Sequence, residues 1–224
     1  MEERMAHLLV DEITGHIRDR IMSGALPMGR PIRPAELSTE FGISRTPIRE
    51  ALRRLQSDGL IEMPPNRAAC VRVPAPWEVR EAYEIRAQLE GLATARAAGR
   101  MRGTDLDQLR RVNHQAHDLT PGQAGSAWTD HAFHTLILDS ASNGHLRRAV
   151  RDIDQSFPRN VPVQLLAENP RQRDQAFGAH DRIIAALAAG DGETAAQEMR
   201  AHVIKVGEHL VHWYERRSST VFHG

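Results

Sequence analysis

Histidines and arginines are the side chains of these 224 residues best placed to do chemistry. There are twelve histidines, and three of them fall among apolar residues at helical spacing. In TDHAFHTLIL, Asp130 and His134 are four apart, so a helix sets them on one face, with Phe133 and Ile137 nearby. In HDRIIAAL, His180 shares a face with Ile183, Ile184 and Leu187, and in MRAHVIKVGEHL, His202 lies beside Met199, Val203 and Val206. Burying one Asp and three His without partners is costly. A shared cation would satisfy all four, and imidazoles with one carboxylate suit Zn²⁺ or a similar transition metal. The competing reading is four core residues, each hydrogen-bonded separately. His131 is one residue off the Asp130 and His134 face and reads as exposed; His114, His117, His145, His209 and His212 fall on polar or terminal positions.

The arginines point to a different chemistry. Formal net charge is zero, but residues 44–55, SRTPIREALRRL, carry Arg45, Arg49, Arg53 and Arg54 against Glu50 alone. A nucleic-acid reader needs a basic contact face and not a basic whole. Guanidinium also gives the planar, two-pronged contact that guanine and phosphate accept.

The elements that must carry these residues follow from apolar spacing and from breakers. Leu8, Leu9, Ile13, Ile17 and Ile21 recur at helical period over residues 5–23. Gly24, Pro27, Gly29 and Pro31 end that helix. A short helix near 34–41 stops at Gly42, and Ser44 caps a second one with Pro47 in its first turn. Gly59 ends it, and LIEM, PPNRAA and CVRV read as a two-stranded hairpin. Helix, helix, turn, helix, hairpin is the plan of a winged helix-turn-helix, predicted over residues 1–74. In that plan Leu37 and Phe41 are buried by the first short helix, and Ile48, Ala51, Leu52 and Leu55 by the second. Arg45, Thr46 and Arg49 then project from the turn that meets base edges in a major groove. Arg33 stands just before the first short helix, and Asn66 and Arg67 at the wing tip, where all three can reach the backbone or a groove.

Residues 75–224 read as an antiparallel bundle, with helices near 76–100, 104–118, 124–140, 143–157, 171–189 and 192–216. The fold class is therefore mainly α. Aromatic residues are 4%, so the cores rest on aliphatic side chains. Cys70 alone cannot form an internal disulfide, and it reads as a small buried residue on a strand. No apolar run approaches the roughly 20 residues that span a bilayer. The amphipathic start, with acidic residues, is unlike a signal peptide, so the expected location is cytoplasmic.

The segment FGISRTPIREALRRLQSDGLIE and the proline-rich approach to it closely resemble the DNA-binding domain of GntR-type regulators. The wing departs in one place, with Arg67-Ala68 where Arg-Gly is common. YEIRAQLEGLATARAA, DHAFHTLIL, SNGHLRRAV, HDRIIAALAAGD and AAQEMRAHV resemble the FCD ligand-binding domain of the FadR branch of that family. Together the two resemblances cover essentially the whole chain. They imply a homodimer on a short palindromic operator in double-stranded DNA, acting as a repressor, and a metal held by Asp130, His134, His180 and His202. Zinc comes first as the metal, with nickel and manganese as alternatives. They imply also that a small organic acid acts as effector, with Arg86 facing its carboxylate. Arg86 has a second reading as an intrahelical partner of Glu90, which itself reads as structural. The alternatives are a regulator binding an acyl thioester without metal and, from another class, a metal-dependent enzyme; no base or nucleophile beside the four ligands favours the enzyme.

Overall fold

A computed structural model describes residues 2–65, 67–118, 129–158, 161–162, 165–166 and 169–221, without the side chains of 2–6, 116–118, 129–130 and 217–221. The chain forms two compact units, whose main segments are Met1–Pro74 for one and Ala75–Asp154 with Val161–Thr220 for the other.

The first unit contains α1 (Glu2–Met22), β1 (Pro31–Ile32), α2 (Pro34–Phe41), α3 (Arg45–Ser57), β2 (Ile61–Glu62) and β3 (Ala69–Val71). Ile13, Ile17 and Ile21, one turn apart on α1, pack in one core with Ile48, Leu52 and Leu55 of α3, and all six are at most 2% exposed. Burying a Leu or Ile side chain contributes about 1.5–3 kcal/mol, so this seam dominates the unit. Leu8, expected on the same stripe, is exposed, and Val10 is buried instead. Phe41 is half-buried and meets His16 edge to face. Ion pairs rim the core: Arg18 with Asp58 at 2.5 Å, Arg20 with Glu40 at 2.7 Å, and Arg54 with Asp11. Gly42 adopts φ +67°, the left-handed conformation the sharp turn into α3 requires. Ser44 stands at the N-cap of α3 as expected, but its hydroxyl makes no capping hydrogen bond.

The hairpin is part of a three-stranded antiparallel sheet of order β1-β3-β2. Pro31 lies opposite Cys70 on one side of β3, and Glu62 opposite Cys70 on the other. The sequence reading has β1 only as a break, because a two-residue Pro-Ile strand shows no periodicity. Cys70 therefore sits on the central strand, and it is half-buried rather than buried. Burial, and then the Glu62 charge, push its thiol upward.

The second unit contains α4 (Pro76–Ala98), α5 (Gly103–Asp118), α6 (Thr129–Ser140), α7 (Gly144–Asp154), α8 (Pro170–Ala188) and α9 (Gly192–Val221). The expected start of the third bundle helix, 124–128, lies outside the described residues. Asn143, Asn169 and Asp191 cap α7, α8 and α9, accepting from the backbone N–H groups of Leu146, Gln172 and Thr194. Helix α4 packs against α6, α7 and α8, and α5 against α6 and α8. Ala93 of α4 shares a small core with Leu138, Ala141, Leu146 and Val150.

Small residues let α4 and α9 approach closely. A Cβ on Gly207 of α9 would lie 2.6 Å from Cβ of Tyr83, and one on Gly91 of α4 would lie 2.7 Å from Cγ of Arg200. This approach brings His202 of α9 beside the buried face of α4. Gly207→Ala is expected to destabilise the protein by about 1–3 kcal/mol through overpacking. Gly178→Ala on α8 meets nothing within 4 Å, and should stabilise by about 0.5–1 kcal/mol. Denaturant unfolding of the two variants checks this, and equal shifts would count against a tight α4–α9 contact.

Candidate metal centre and DNA-reading face

Helices α6, α8 and α9 each contribute one buried histidine to a single spot. His134 is 2% exposed, His180 0% and His202 4%, and one ring nitrogen from each lies within 4.8 Å of those of the other two. His180 Nε2 and His202 Nε2 are 3.2 Å apart. Two Nε2 atoms on one tetrahedral zinc, with Zn–N about 2.1 Å, would be about 3.4 Å apart. The imidazole positions therefore fit a divalent cation. Phe133 stacks on His180 at 3.8 Å between ring centroids, with 9° between the planes, and His134 stacks on His202 at 5.3 Å.

The outward nitrogens are occupied. Nδ1 of His134 pairs with a carboxylate oxygen of Glu90, which is 1% exposed. Nδ1 of His180 lies 3.0 Å from Oδ1 of Asn113, whose amide nitrogen donates to Asp181 at 2.7 Å. Burial alone would raise the Glu90 carboxyl, but Arg86 and then His134 outweigh it and hold it down at about 2. Burial and then the charge of neighbouring His134 push His202 down to about 3. Burial, His202 and His134 together push His180 well below the usual histidine value. His180 and His202 are thereby held in the neutral form, which is the form a metal requires.

Arg86 is buried and donates through Nε to Glu90, four residues on, with Nη1 3.3 Å from Asp154. Of its two sequence readings, the intrahelical pair is the one formed. The backbone of α6 carries Asp130 one turn before His134, and the side chain of Asp130 lies outside the described residues. His131, expected to be exposed, is half-buried, with Nδ1 3.6 Å from Asp154. The sequence reading missed Asn113 and gave Glu90 a structural role only, with no place at the site. Asn113 continues the buried line of Leu109, four residues earlier on α5, and Glu90 lies between buried Ala87 and Thr94 on α4. A polar residue on an apolar stripe was the available signal for both.

On α3, Arg45, Thr46 and Arg49 are exposed on the side opposite buried Ile48, Ala51, Leu52 and Leu55. Among the described residues neither Arg45 nor Arg49 has an ion-pair partner. Arg54, part of the same basic run, instead pairs with Asp11 and Glu50, so its charge is spent inside the unit. Arg33 is exposed and pairs with Glu36 at 3.0 Å. Arg67 is exposed at the wing, and Asn66 lies outside the described residues.

Residues 9–71 match the model of the bacterial regulatory proteins of the gntR family, and residues 81–205 match the FCD domain. The chain belongs to the GntR family. The regulator's curated relatives extend along nearly its whole length. A probable D-xylose utilization operon transcriptional repressor of Paenarthrobacter nicotinovorans is 29% identical over 91% of each chain. LutR of Bacillus subtilis is 26% identical, covering 87% of this chain and 98% of its own. RspR of Escherichia coli, a transcriptional repressor, is 25% identical over 86% and 84%. Among solved structures, E. coli McbR/YncC shares the fold at a TM-score of 0.68 and 22% identity, covering 94% of this chain and 98% of its own. A putative GntR regulator from Rhodococcus sp. RHA1 does so at 0.72 and 20%, covering 91% and 97%. The regulator's relatives control transcription and are not enzymes, so the metal-dependent enzyme is set aside.

The histidine cluster makes the metal-free regulator sensitive to acid. An unfolded chain protonates His202 near 6.5 and the folded one only near 3. Stability is thus complete above about pH 6.5 and falls as pH drops below it, with a slope of up to about 1.4 kcal/mol per pH unit for each such histidine. Glu90, at about 2 against 4.5, adds its own loss only below about pH 4.5. The melting temperature of chelator-treated protein should therefore fall between pH 6.5 and 4.5, and more gently in His202→Gln. Matching pH profiles for the two proteins would contradict this.

Proposed function

We propose that this GntR-family regulator is a cytoplasmic repressor that binds operator DNA as a homodimer and is controlled by a small organic acid at a metal site in its FCD domain. The observation that carries this reading is the convergence of three buried imidazoles from three helices. His134, His180 and His202 would hold the ion, with Asp130 as the fourth ligand, one turn from His134. Zinc fits this donor set best, with nickel and manganese as alternatives. A bound cation supplies an open coordination position that a carboxylate can fill. Arg86 would meet the effector carboxylate in exchange for its contact with Asp154.

Arg45, Thr46 and Arg49 would read base edges from the first turns of α3, with Arg33, Asn66 and Arg67 steadying the DNA backbone. Support for the homodimer comes from α4, where Trp77, Ile85 and Leu92 are large apolar side chains at least half exposed. Ile85 and Leu92, seven residues apart, share one face, and a second copy would cover them.

Two measurements test this. Against a duplex selected by the parent protein from a random pool, Arg49→Ala should lose about 1–3 kcal/mol of binding free energy. Undiminished binding would mean that α3 does not read DNA through this residue. His134→Ala combined with His180→Ala should purify without the metal that the parent carries. Equal metal content by elemental analysis would exclude the histidine site.

A further inference from the structure

We infer that Glu90 and Asn113 are positioning residues of the metal centre: each accepts the outer ring N–H of one histidine ligand, and so decides which nitrogen of that ring faces the cation. The inference rests on the metal reading proposed above. A neutral imidazole has one nitrogen bearing hydrogen and one lone pair, and only the lone pair binds metal. Whatever fixes the hydrogen on one nitrogen therefore aims the other.

At His134 the choice is made by charge. The Glu90 carboxylate accepts from Arg86 through one oxygen and faces Nδ1 of His134 with the other, so Nδ1 carries the hydrogen of that contact and Nε2 is the nitrogen turned to the cation. Arg86 in turn holds the Glu90 carboxylate in place from the same helix. At His180 the choice is made by a chain of hydrogen bonds. Asp181 is an acceptor, so the nitrogen of the Asn113 amide faces it at 2.7 Å. That leaves Oδ1 of Asn113 facing Nδ1 of His180 at 3.0 Å, and only an N–H satisfies that pair. Nε2 of His180 then presents its lone pair toward Nε2 of His202, 3.2 Å away. Stacking on Phe133 keeps the ring from turning out of this arrangement. Two unrelated devices, an anion on α4 and an amide on α5, thus aim two imidazoles at one point. The ionised partner also raises the basicity of His134 as a ligand, which a purely packing role would not do.

The test is a zinc titration of the chelator-stripped full chain against a chromophoric competitor, run beside unfolding of the same metal-free samples. Glu90→Gln and Asn113→Leu are expected to weaken zinc binding about 10- to 100-fold. Asn113→Asp combined with Asp181→Asn keeps an acceptor on His180 and, with donor and acceptor exchanged, the hydrogen bond behind it, and should bind zinc nearly as the parent does. The inference is overturned if Glu90→Gln and Asn113→Leu lose only metal-free stability and titrate like the parent. It is overturned equally if the Asn113→Asp, Asp181→Asn double variant is as weak as Asn113→Leu. A parent protein that takes up no zinc, nickel or manganese would instead remove the metal reading itself.

Discussion

Three imidazoles buried within reach of one another cannot all be charged, and this constraint shapes the helical unit. Desolvation and mutual repulsion hold His180 and His202 neutral. Neutral rings still need partners for two nitrogens each, because an unmet buried polar group costs about 1–3 kcal/mol. The structure meets the outward nitrogens of His134 and His180 with Glu90 and Asn113, and leaves the inward ones converging. Each of those partners needs support in turn, so Arg86 stands behind Glu90 and Asp181 beside Asn113. The polar network reaches from α4 and α5 to α8 and α9 because every member would be costly alone.

The DNA-binding unit divides its arginines by a related rule. Those that face acidic groups across the α1, α2 and α3 packing, Arg18, Arg20 and Arg54, are engaged in holding the helices together. Arg45 and Arg49 lie at the exposed start of α3, where the buried Ile48 and Leu52 force their neighbours outward. The apolar stripe of the helix thereby selects which basic side chains remain available to a phosphate or a base edge.

Most of the fold was legible because long helices announce themselves through period and breakers. Every bundle helix falls within a few residues of its expected span in the described stretches, and Gly42 marks the turn before α3. Strand β1 was not legible: two residues carry no period, and only pairing with β3 makes them a strand. Leu8 was misplaced because helical spacing gives a stripe but not where the neighbouring helix stops covering it. Within the candidate site, the three clustered histidines were legible as polar residues on apolar faces. The same signal was present at Asn113 and Glu90, but Glu90 was assigned to structure because a carboxylate four residues from an arginine already has an explanation.

The sequence by itself determined the helices, the basic turn at the head of α3 and the histidines that turn inward, since these depend on spacing along one chain. The tertiary structure decided who meets whom. It set Glu90 behind His134 and Asn113 behind His180, across 44 and 67 residues of chain. It turned Arg86 to Glu90 and Asp154, and it took Arg54 out of the basic face. Such pairings depend on how closely α4 can approach its neighbours, and this distance is set by glycines and packed side chains on separate helices, which no local pattern records.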